Sequence, residues 1–209
     1  MTIYALSSGS GISGLAVLRI SGPDTKKIIE TFTNSPAPKP RLATLKKFSK
    51  YNSNELIDEG ILLWFPAPHS YTGEDMAEFH VHGSRAVIEA FYESISIIDN
   101  CRLAEPGEFT KLAFQNGKIN LLKAESISDL ISAETEMQRH QAIKAMSGKS
   151  SKKFNELRER LLKILSNIEA KIDFPEEDLP EDIIKNIKVE SNKIKEEIKK
   201  ILNDQKVGE

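Results

Sequence analysis

Met76-Ala77-Glu78-Phe79-His80-Val81-His82-Gly83 alternates apolar with polar residues, and its reading decides how the leading part of the chain folds. A period of two marks a half-buried β-strand. On such a strand Ala77, Phe79 and Val81 face one side and Glu78, His80 and His82 the other. A carboxylate and two imidazoles on one face admit three readings. The His-x-His pair with Glu78 supplies three ligands for a metal-dependent enzyme. Alternatively, Glu78 accepts hydrogen bonds from a heterocycle with adjacent N–H donors. The third reading is a polar, solvated sheet face.

Outward from this strand, Leu15 to Ile20 and Ile61 to Phe65 are short apolar runs that predict buried strands. Pro23 to Thr31 and Ser84 to Ile97 carry helical spacing, each opened by a residue suited to a helix start. The proline-rich Asn34 to Pro40 is a loop. Arg19 interrupts an apolar strand, which is costly unless the side chain faces solvent or meets an anion. The small residues Ser7 to Gly14 permit close backbone approach to a ligand, yet lack the spacing of a phosphate loop or a dinucleotide fingerprint. Arg102 to Thr110 reads as a turn into a helix, with Gly107 at a strained backbone angle; that helix ends at Asn116-Gly117. Lys118 follows at once, placed to oppose the helix dipole or to reach an anionic ligand.

Composition changes near residue 118. Only Gly148 and Gly208 of the glycines, Pro175 and Pro180 of the prolines, and Phe154 and Phe174 of the aromatics lie beyond it. The expected division is therefore an α+β domain over 1–118 and an all-α segment over 119–209. In the second segment Phe154, Leu157, Leu161, Leu165, Ile168 and Ile172 form one helical seam, and Ile187, Ile194, Ile198 and Ile201 another. Asp173 to Pro180 carries two prolines and should separate two long antiparallel helices. With no strand-forming stretch, this half needs a further element to close a core.

Formal net charge is −2, so no global field advertises a polyanionic partner. Locally, Gln138 to Lys163 is basic, and Glu169 to Glu190 is acidic enough to neutralise it. A non-enzymatic helical adaptor whose long seams bind a partner or RNA is a third functional reading. A single cysteine, Cys101, excludes an internal disulfide framework. No signal-peptide pattern and no membrane-length apolar run occurs, which predicts a cytoplasmic protein with no membrane association.

Several blocks occur in a characteristic order: Val17 to Gly22, Leu63 to Asp75, His82-Gly83, Glu105 to Thr110, Ala113 to Leu121, and Ile172-Asp173-Phe174-Pro175. In this order the chain resembles the MnmE (TrmE) family of tRNA-modifying GTPases. The resemblance runs the length of the chain and covers about the first half of a typical member. It implies an N-terminal folate-binding and dimerisation domain similar to the glycine-cleavage T-protein. The first part of a helical domain that is interrupted by a GTPase domain would follow. It also implies a homodimer, a flavin-dependent MnmG-type partner protein, and action on C5 of the wobble uridine of tRNA with a one-carbon unit from 5-formyl- or a related tetrahydrofolate.

The family's folate contacts fall on Arg19, Glu78 and Lys118. GTP, magnesium and potassium belong to the GTPase domain. No phosphate loop occurs in these 209 residues, so no GTP hydrolysis is expected of this chain alone. One departure stands out. The family usually has small residues after His82-Gly83, whereas Ser84-Arg85 puts a bulky cation beside the expected pocket.

Overall fold

The computed structural model describes residues 1–9, 11–173 and 182–203. The chain divides into two compact units, Met1–Ala124 and Glu125–Glu209.

The first unit is built on β1 (Thr2–Leu6), β2 (Ser13–Ser21), β3 (Thr44–Ser49), β4 (Leu56–Phe65), β5 (Met76–Gly83) and β6 (Cys101–Leu103). They form one sheet in the order β3-β4-β5-β2-β1-β6, antiparallel throughout except for the β1–β6 pair. Helices α1 (Thr25–Thr33) and α2 (Arg85–Ser96) pack on one face. The alternation seen in the sequence sets that face. Leu18 stands opposite Phe79 and Ile20 opposite Ala77, and all four are buried. Ile28, Ile29 and Phe32 from α1 and Phe91 and Ile95 from α2 close the core. At its centre Phe32 stacks on Phe91 at 5.1 Å, while Phe48 and Phe79 meet edge to face at 5.2 Å.

Three strands went unread in the sequence, and each has a physical reason. β1 is a short terminal run, β3 carries two adjacent lysines that break the apolar pattern, and β6 has only three residues. Arg102 and Leu103 consequently lie in a strand rather than in the turn leading to the next helix. From Ala16 to Ile20 β2 is buried on alternate residues, so Arg19 occupies a second, non-core face. The helix start at Ser84 is as expected, with its hydroxyl accepting from the Val87 amide. Arg85 runs outward along α2, pairs with Glu89 and is 86% exposed. Gly107 has φ +77 and opens α3 (Glu108–Gln115), which ends at Asn116 ahead of Gly117 at φ +66.

After α4 (Leu121–Ile131), the second unit contains α5 (Glu136–Met146), α6 (Lys149–Asp173) and α7 (Asp182–Leu202). A capping box between Thr135 and Gln138 opens α5. α6 and α7 run antiparallel: Phe154 shares a hollow with Ile198 and Leu202, and Asn167 shares another with Asn186. Arg160 of α6 clamps Glu190 and Glu197 of α7 at 2.7 and 2.8 Å. Leu157 and Ile194 are buried between the helices, but Leu161, Leu165 and Ile172 on the same seam are exposed. The expected proline interruption falls on 174–181, outside the described residues.

Candidate functional site

Strand register assembles the site. Arg19 on β2 stands directly opposite Glu78 on β5, on the sheet face away from α1 and α2. Arg19 Nε and Nη2 both donate to Glu78 Oε1, at 3.0 and 2.8 Å. The two side chains are 28% and 16% exposed, so the pair is well shielded from water without being sealed off. The arginine that interrupts the apolar run is thereby explained: its charge meets a carboxylate one strand away. The other carboxylate oxygen, Oε2, lies 3.5 Å from His80 Nε2.

Two aromatic rings complete the surroundings. The Arg19 guanidinium lies over Tyr71 and Phe109, 5.7 and 5.6 Å from their centroids. Tyr71 is held by a 3.0 Å hydrogen bond between its hydroxyl and that of Thr110. Beside Arg19 opens a cleft of about 370 Å³ lined by Leu6, Ser7, Glu105, Phe109 and Thr110, among others. Ser7 is thus the part of the Ser7 to Gly14 stretch that borders this cleft. Nothing lies within 4 Å of a Cβ built on Gly9, Gly11 or Gly14. Tyr71, Phe109 and Thr110 were not singled out from the sequence. Their signal was an aromatic residue in the polar stretch at 69–75 and another in the first turn of α3.

Lys118 sits elsewhere on the same framework. Its Nζ donates to the Pro68 carbonyl at 2.5 Å, and its methylenes lie against Gly73. Asn116 donates to the Thr72 carbonyl at 2.7 Å, which ties the end of α3 to the 66–75 segment. That segment also carries Tyr71. The structure therefore joins Arg19 directly to Glu78, and Lys118 meets the loop that presents Tyr71 to Arg19.

The histidines divide between partners. His82 leaves Glu78 and pairs with Asp58, whose Oδ2 accepts the His82 amide and whose Oδ1 lies 2.8 Å from Nδ1. Burial pushes the Asp58 carboxyl up, but the hydrogen bonds from the His82 amide and ring and the Glu59 amide outweigh it and hold the group below its ordinary value. Among the described residues no group of three His, Cys, Asp or Glu side chains converges as metal ligands. The Glu78–His80–His82 metal reading therefore has no geometric support, because Arg19 and Asp58 draw its members apart. Among the described residues, too, no helix is long and apolar enough to cross a membrane.

Residues 2–118 match the family model described as the GTP-binding protein TrmE N-terminus, and residues 121–209 match the MnmE helical domain. The chain belongs to the MnmE/TrmE family. It is 73% identical over 209 residues to the tRNA modification GTPase MnmE of Pelagibacter ubique, covering 100% of this chain and 47% of that protein. Identity to the MnmE of Parvibaculum lavamentivorans is 43% over 208 residues, 100% of this chain and 48% of the relative. A mitochondrial 5-taurinomethyluridine-[tRNA] synthase subunit of Danio rerio is 43% identical over 209 residues, 100% of this chain and 42% of its own length. The chain spans about half the length of these relatives. Within the MnmE/TrmE framework, the Arg19–Glu78 pair lies in the segment matching the TrmE N-terminus, as does Lys118.

Proposed function

We propose that this chain is the tetrahydrofolate-binding, dimer-forming part of a cytoplasmic tRNA modification GTPase. That enzyme acts with a flavin-dependent partner on C5 of the wobble uridine of tRNA. The observation that carries the reading is a shielded carboxylate, Glu78, already engaged by two N–H donors of a planar cation beside Tyr71 and Phe109.

The donor chemistry fits a pterin. A pterin edge offers a ring N–H next to an exocyclic amino group, and a carboxylate accepts that pair side by side. Glu78 would hold this edge, and the faces of Tyr71 and Phe109 suit a flat heterocycle. Arg19 and Lys118 are the cations available for carbonyl or carboxylate oxygens at the rest of the ligand. When bound, the folate supplies the one-carbon unit; the chain's own residues orient it and limit its contact with water. GTP, magnesium and potassium act through a GTPase domain beyond these 209 residues.

Titration of the purified chain with 5-formyltetrahydrofolate tests the reading. Saturable binding by the wild type that Glu78→Ala abolishes is the expected result. Equal binding by both proteins, or none by either, rejects the site.

A further inference from the structure

Glu78 has a partner within its own chain, and that partner has the shape of the proposed ligand. The Arg19 guanidinium is a planar N–C–N group with donors directed outward in one plane. It places two of those donors, Nε and Nη2, on Glu78 Oε1 at 3.0 and 2.8 Å. Its Cζ lies over the rings of Tyr71 and Phe109. A ring N–H beside an exocyclic amine, as in a 2-amino-4-oxopteridine, is a cyclic version of the same donor pattern. A pterin edge held side by side needs Oε1 as well as Oε2, and Arg19 already takes both lone pairs of Oε1, so the two cannot be held at once. Oε2, with His80 Nε2 3.5 Å away, supplies only one half of a side-by-side grip.

We propose that Arg19 is a self-ligand of the site. Its guanidinium occupies the carboxylate and the aromatic surface that the ligand's guanidine-like edge takes over, so binding exchanges an internal ion pair for an external one. This inference rests on the folate reading of the same site and adds its regulation. Released from Glu78, the guanidinium becomes available to an oxygen of the incoming molecule. A ligand with both a donor edge and an anionic tail gains a new partner for Arg19 in return for the pair it breaks. A bare pterin has no such tail and meets the competition without compensation. Discrimination in favour of tailed ligands is therefore built into the Arg19–Glu78 pair.

The test compares 5-formyltetrahydrofolate with bare pterin on the full 209-residue chain, by fluorescence or calorimetric titration of wild type, Arg19→Met and Glu78→Gln. Arg19→Met should bind bare pterin about tenfold tighter than wild type and lose affinity for the folate. Glu78→Gln should weaken both. Cooperative urea unfolding of each variant checks that it is folded.

A second measurement follows the ion pair in the wild-type protein directly. The Arg19 Nε–H resonance, identified by its loss in Arg19→Lys, should shift and exchange faster with water as either ligand is added. Unchanged or weaker pterin binding in Arg19→Met, or an Arg19 resonance that ignores saturating ligand, overturns the self-ligand role while folate binding dependent on Glu78 still stands. Absence of folate and pterin binding from wild type and variants alike removes the site reading and the exchange together.

Discussion

A Cβ built on Gly73 would stand 2.8 Å from Lys118 Cε and 3.3 Å from Asn116 Cβ. Gly73 also has φ +83, a region that side chains with a Cβ rarely adopt. The 66–75 segment thus keeps Lys118 in place by having no side chain there. Gly73→Ala should cost about 1–3 kcal/mol, read from urea unfolding. Adding Lys118→Ala should restore only the steric part, because the backbone strain remains. A Gly73→Ala protein as stable as wild type would contradict this.

Gly60 makes a closer approach still, with a built Cβ 2.1 Å from the His80 carbonyl oxygen. Backbone cannot give way as a side-chain end can. Gly60→Ala should therefore part β4 from β5, destabilise by more than about 4 kcal/mol and disturb Glu78 two residues from His80. Hydrogen exchange of the β4 and β5 amides reads the separation, and wild-type protection would refute it.

Phe79 lies at the centre of the aromatic core and contacts the rings of Phe32, Phe48 and Phe91. Phe79→Ala should cost about 3–5 kcal/mol in urea unfolding. A loss below about 1 kcal/mol would mean that the core is packed differently.

The Asp58–His82 contact should show in the pH dependence of stability. The folded-state carboxyl of Asp58 sits below its ordinary value of 3.8, so its contribution is present above the unfolded value and fades as pH falls through the folded one. Asp58→Asn should cost about 1.5–3 kcal/mol at neutral pH, the scale of hydrogen bonds to a charged group. The difference from wild type should shrink once the pH drops below 3.8. A difference independent of pH would assign the effect to packing instead.

Homodimer formation is checked by light scattering. The chain has a mass of 23.4 kDa, and a particle of twice that mass at micromolar concentration is the expected outcome. A monomer would remove dimerisation from the proposal.

Much of the fold was legible because its central strands repeat every two residues and its long helices every three or four. The β5 alternation placed Phe79 in the core and Glu78 on the opposite face without any tertiary information. Ser84 announced α2, and Gly107 and Gly117 framed α3. β3 and β6 were hidden because edge strands are short, partly polar and defined by the neighbour they pair with. The seams of α6 and α7 were visible as patterns, but which of their residues are buried was not. Leu157 is enclosed and Leu161, one turn on, is open, a difference set by the facing helix.

By itself, the sequence determined the two compositions, the core face of the central strands and the family, and it singled out Arg19, Glu78 and Lys118 as candidates. Tertiary structure decided which of them touch. Arg19 pairs with Glu78 because β2 and β5 are neighbours in a register that sets those two residues opposite each other, although 59 positions separate them along the chain. His82 is drawn to Asp58, and Lys118 to the Pro68 carbonyl, by the same kind of long-range placement. Periodicity is local and survives in one dimension. Strand register and loop approach depend on the whole sheet forming at once, so no local window of residues contains them.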